Sequence, residues 1–79
     1  MPSASQALSS LTVGARAKIT FLRVPSDQKG RLMEMGVLPG TAVELVRFAP
    51  MGDPLEIKVR GYHLTLRKQE ADLIEVVAL

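Results

Sequence analysis

The chain has 79 residues, enough for one domain that buries about 60 to 65 per cent of its unfolded surface, so one small core is the limit. Ten Lys and Arg against eight Asp and Glu leave a net charge of +2, a shallow imbalance that does not demand nucleic acid despite a pI of 9.4. With no cysteine there is no disulfide, no thiolate metal site and no thiol nucleophile, and no run of 18 apolar residues exists to cross a membrane.

Residues 1–10, MPSASQALSS, carry neither a basic leader nor a signal-length apolar run. They are expected to form a flexible tail, with the domain spanning 11–79 and the protein in the cytoplasm. In ARAKITFLR, Ile19 and Phe21 alternate with Lys18 and Thr20, the period of a half-buried strand. VPSDQKGRLMEMG then carries helix signals: Ser26 as N-cap, Asp27 in the first turn and Gly36 as a left-handed C-cap. Leu38, Pro39, Gly40 and Thr41 spell a type II turn, which brings Leu38 beneath the helix and makes that helix one wall of a surface groove.

AVELVRF and PLEIKVR are strands, the second with Leu55, Ile57 and Val59 inward and Glu56, Lys58 and Arg60 outward. Between them APMGDP is a hairpin loop in which Pro50 and Pro54 restrict the backbone and Gly52 can supply a positive φ. Gly61 marks a tight reversal into YHLTL; RKQEAD suits one helical turn, and LIEVV is the last strand. Five short strands with frequent turns predict a mainly β protein, a small antiparallel barrel whose closure removes exposed edges. The expected core is Leu11, Ile19, Phe21, Leu32, Met35, Leu38, Val43, Leu45, Leu55, Ile57, Val59, Leu64, Leu66, Ala71, Ile74 and Val76.

Chemistry has little to work with. His63 is the only histidine and is expected to be structural or solvated, because a metal site needs three or four converging ligands. No metal, cofactor or catalytic residue is expected: Ser26 and Thr41 have cap and turn duties, and no phosphate-binding glycine loop is present. Single-strand nucleic-acid binding is the rival on fold grounds. Aromatics are few, and although Lys58 and Arg60 share an outward face with Arg47 near them, Glu44 and Glu56 dilute it. Protein contact has better candidates: Met51 at the tip of the 49–54 loop, and Met33, about 100° round the helix from Leu32. Each either faces a partner or tucks into the barrel. Asp53 and Arg60 join them by surface position.

RLMEMGVLPG, followed by RFAPMGDPLEIKVRGYHLTLRKQEADLIEV, resembles the FeoA family of small accessory proteins of bacterial ferrous iron uptake. The resemblance runs over about residues 11 to 77. It rests on the helix-to-turn block ending Leu38-Pro39-Gly40, the Ala49 to Pro54 loop, and Leu66-Arg67 before Glu70-Ala71. It implies an SH3-like barrel without catalysis that contacts FeoB, the membrane transporter with a cytoplasmic GTPase domain, and meets the membrane only through that partner. The same module ends iron- and manganese-dependent repressors; with no helix-turn-helix pattern in the ten residues before Leu11, a free-standing module is expected here. Gly30 and Met33, Met35 and Met51 depart from the commoner family pattern, in which a helix former and leucines are usual.

Overall fold

The computed structural model describes residues 5–79; residues 1–4 of the expected tail lie outside the described residues. In chain order the elements are β1 (Gln6–Ala7), a 3-10 turn (Leu8–Ser10), β2 (Arg16–Leu22), α1 (Ser26–Glu34), β3 (Ala42–Phe48), β4 (Leu55–Val59), β5 (Tyr62–Leu66), α2 (Lys68–Ala71) and β6 (Ile74–Ala78). The strands form one antiparallel sheet in the order β1-β6-β2-β3-β4-β5, wrapped on a single buried cluster. The protein is therefore mainly β. No ladder joins β1 to β5 among the described residues, so the barrel keeps an open seam where closure was expected.

Part of the stretch assigned to the tail is built into the sheet. Gln6 and Ala7 pair with Val76 and Glu75, and Leu8 is fully buried. A two-residue strand carries too few alternations to register as one in the sequence.

Two bulges decide which side chains face the core. In β2, Ile19 opposes Val76 but Phe21 opposes Glu75, so two residues on β2 match one on β6 and the alternation slips at Thr20. Leu22 takes the inner position, and Phe21, expected in the core, is 50% exposed with the Arg23 and Lys29 cations each 5.6 Å from its ring centroid. In β3 the register slips between Leu45 and Arg47, which sets Arg47 opposite Glu56 and Phe48 opposite Leu55.

Helix α1 starts differently from expectation. Pro25, not Ser26, is the N-cap: its extended ψ of 152° turns its carbonyl to accept from Lys29 N at 2.8 Å, and no side chain caps the end. The C-terminus is a Schellman motif. Gly36, at φ 99°, donates to Met33 O at 3.0 Å, and Val37 donates to Leu32 O at 3.0 Å. An apolar pair at these two positions commonly accompanies the motif, and here Leu32 and Val37 are both fully buried. Val37 thus holds the place expected for Leu38, which is only partly buried. At the next turn Thr41 N donates to Leu38 O at 3.1 Å, with Pro39 second and Gly40 third at φ 90°. The core also takes in Ala17, in phase with Ile19, and Leu22 and Val24, which the simple alternation passes over.

Candidate functional site

The outer faces of β2, β3 and β4 carry Arg16, Lys18, Glu44, Arg47, Glu56 and Lys58, and register sorts these into two groups. At one end the β3 bulge places Arg47 Nε 3.0 Å from Glu56 Oε1, while His63 Nδ1 on β5 lies 2.5 Å from Glu56 Oε2. The bond to His63, then that to Arg47, holds the Glu56 carboxyl below its ordinary 4.5. Arg47 was expected near Lys58 and Arg60; it lies outward opposite Glu56, because the extra residue in β3 turns it from the inner face.

At the other end Arg16 opposes Glu44 and Glu44 opposes Lys58, a row across three strands. With Arg60 and Gly61 these residues line a shallow groove. Arg60 does not continue β4, as the sequence suggests. It and Gly61 form the β4–β5 turn at φ 52° and 82°, the left-handed pair of a two-residue hairpin. Its stem packs over the C-cap of α1, where a Cβ on Gly36 would stand 3.9 Å from Arg60 Cδ. Sequence reasoning missed Arg16; the alternation of Arg16 and Lys18 with Ala17 and Ile19 was the available signal.

The remaining contact candidates sit on other elements. Met51 is 92% exposed at the tip of the β3–β4 loop, where Gly52 has φ 85° and donates to Ala49 O at 2.7 Å. Met33 is 37% exposed on α1. Asp53 is engaged within the fold: its Oδ1 accepts from Lys68 N at 2.9 Å and so caps α2. It lines a second groove with Gln28 and Arg31 of α1, in which α1 does form a wall; Arg31 Nη2 donates there to the buried Glu70 at 2.5 Å. Arg60 and Asp53 therefore border different grooves.

His63 is exposed and its carboxylate contact is Glu56 alone. Among the described residues no group of three or more His, Cys, Asp or Glu is placed to hold a metal ion. No described helix is long and apolar enough to cross a membrane.

Comparison with known proteins gives this arrangement a context. The family profile described as the FeoA domain matches residues 6–78. A curated relative from Porphyromonas gingivalis, a fusion of Fe(2+) transport protein A with the Fe(2+) transporter FeoB, is 33% identical over 69 residues; the match covers 87% of this chain and 8% of that protein. The solution structure of FeoA from Chlorobium tepidum superposes with a TM-score of 0.91 at 39% identity, covering 94% of this chain and 70% of that one. FeoA from Stenotrophomonas maltophilia, solved with zinc and described as a procaryotic SH3 domain protein, gives 0.77 at 28% identity over 90% and 88% of the two chains. At the level of fold alone, a manganese-dependent transcriptional repressor matches with a TM-score of 0.88 at 12% identity, over all of this chain and 44% of that one. The barrel is SH3-like, and by the profile match over nearly its whole length the chain belongs to the FeoA family, which is linked to ferrous iron transport.

Proposed function

We propose that this protein is a non-catalytic, cytoplasmic accessory factor of ferrous iron uptake that acts by touching the cytoplasmic region of a FeoB-type membrane GTPase. One observation carries the reading: in the Porphyromonas gingivalis relative a FeoA unit and a FeoB transporter are one polypeptide. Fusion keeps the two at high effective concentration, which is useful where they work in contact. The barrel interior supports action from outside, since its centre is filled by its own aliphatic side chains and no described buried side-chain polar atom lacks a partner. Docking would shift the transporter between states only by the difference in affinity for them. Met33, Met51, Asp53 and Arg60 are the proposed contact residues, the two methionines as adaptable apolar groups. Titration of the 15N-labelled chain with the transporter's cytoplasmic region, with and without GTP, tests this: shifts clustered on the 49–54 loop, on α1 or around Arg60 support it, and none at high micromolar partner sinks it.

A further inference from the structure

Unpaired charge is sorted by place in this molecule. Among the described residues four carboxylates sit in ion pairs: Glu56 with Arg47 (and bonded to His63), Glu70 with Arg31, Asp72 with Lys68, and Glu75 with Arg23. Of the Lys and Arg outside those pairs, Arg16, Lys58 and Arg60 line one groove, and Lys18 follows Arg16 on the same face of β2. Glu44 is the sole carboxylate among the groove's lining residues, and no ion pair within 4 Å ties it to Arg16 or Lys58.

The register makes this a pattern as well as a patch. Reading across β2, β3 and β4, the row runs Arg16, Glu44, Lys58: positive, negative, positive. Neighbouring strands are about 4.8 Å apart, so the two cations stem from points about 10 Å apart with the carboxylate midway. The complement is negative, positive, negative at the same spacing. A helix repeats its face at i, i+4 and i+7, and seven residues rise about 10.5 Å. An extended strand returns to one face at about 6.6 or 13 Å and fits less well.

We propose that the Arg16–Glu44–Lys58 row docks a helical protein segment bearing an acid, a base and an acid at i, i+4 and i+7, with Arg60 and Lys18 adding to the field that draws it in. Nucleic acid is the poorer match, since no aromatic side chain lines the groove for bases to stack on and Glu44 stands where phosphates would crowd. Complementary charges of this kind set register and encounter rate more than bulk affinity. The inference rests on the reading above, that the chain works by contact with the transporter's cytoplasmic region.

The test is a titration of 15N-labelled protein with that cytoplasmic region at about 50 and about 300 mM salt, repeated with Arg16→Glu/Lys58→Glu, with the milder Arg16→Gln/Lys58→Gln, and with Glu44→Lys. Melting curves and amide spectra establish that each variant is folded; should the double reversal misfold, the neutral pair carries the comparison. The expected result is wild-type binding that weakens with salt, amide shifts on residues 16, 44 and 58, a loss of about tenfold or more in the double reversal, and a loss in Glu44→Lys as well. Tighter binding by Glu44→Lys would reveal a plain polyanion surface and overturn the pattern. Unchanged binding by both Arg16/Lys58 variants, or shifts confined to the 49–54 loop, would overturn the inference while the transporter reading stands. Absence of wild-type binding at either salt would remove that reading and the inference with it.

Discussion

The two ends of the outer sheet face share β3 and β4 and similar residues, yet in one the carboxylate is bonded to its neighbours and in the other it is not. Around Glu56, the Arg47 guanidinium and the His63 ring converge on one carboxylate, which is thereby engaged within the fold. Around Glu44, the carboxylate stands between Arg16 and Lys58 with no ion pair among the described residues, and Arg60 adds a further positive group. One extra residue in β3, between Leu45 and Arg47, turns Arg47 from the inner face it would share with Leu45 to the outer face opposite Glu56. Charge composition is therefore a poor guide to a binding face unless the register is known.

The two bulges decide which side chains of β2 and β3 face outward, and substitutions beside them carry the largest effects. If β2 slips at Thr20, Leu22 lies inside at 2% exposure and Phe21 outside. Leu22→Ala should then cost about 2 to 5 kcal/mol in urea unfolding, and Phe21→Ala well under half of that. The reverse order would restore an unbroken alternation with Phe21 inside and remove the slip at Thr20. Next in size is Gly36→Val. The β-branched side chain would be forced to φ 99° against Arg60 and Val59, and a loss of more than about 1 kcal/mol is expected. An unchanged melting curve would dismiss the Schellman cap and the seat it gives Arg60.

These substitutions also mark how far the sequence could be read. The strands of the second half were legible because Leu55, Ile57 and Val59 alternate without a break, and Gly36 and Gly40 are legible because few other residues hold a positive φ. Phe21 was misplaced because a bulge leaves no residue signature when the inserted position is an ordinary Thr20, and the partner of Arg47 was not legible because the same holds at Val46. Val37 was passed over for Leu38 because the Schellman contact is a property of the cap and not of strand or helix period. Met33 and Met51 stand out on the surface, whereas the engagement of Asp53 with α2 links loops 15 residues apart and has no local pattern to announce it.

A smaller effect sharpens the Glu56 side of the comparison. Its carboxyl is held below 4.5 first by the bond to His63 and then by Arg47, so His63→Ala should raise its NMR titration midpoint more than Arg47→Ala does. Glu75, bonded by Ser5 and Arg23, and Asp72, bonded by Ser9 and Lys68, are depressed too. A carboxyl whose folded value lies below its unfolded one binds fewer protons when folded, so its stabilising contribution is intact above the ordinary carboxylate range and is lost as pH falls through the depressed value. Stability should accordingly be level from neutrality down to about pH 5 and decline below it. A decline that begins near pH 7 would show that these three carboxylates do not govern the acid limb.

The smallest effect carries a sign. At the Glu56 end Arg47 faces an opposite charge, and Arg47→Gln should lower the melting temperature slightly. At the other end Lys58 shares a groove with Arg16 and Arg60, and Lys58→Gln relieves like-charge repulsion; its effect should stay within about 0.5 kcal/mol and be neutral or stabilising. Both changes should shrink as salt rises, because the groups are exposed. If instead Lys58→Gln destabilises as Arg47→Gln does, Lys58 is already satisfied by Glu44 within the fold and the row has no charge left over for a partner. Opposite signs would mean that the basic end is held at a small cost to folding, and a cost of that kind is understandable where a surface is retained for what it binds.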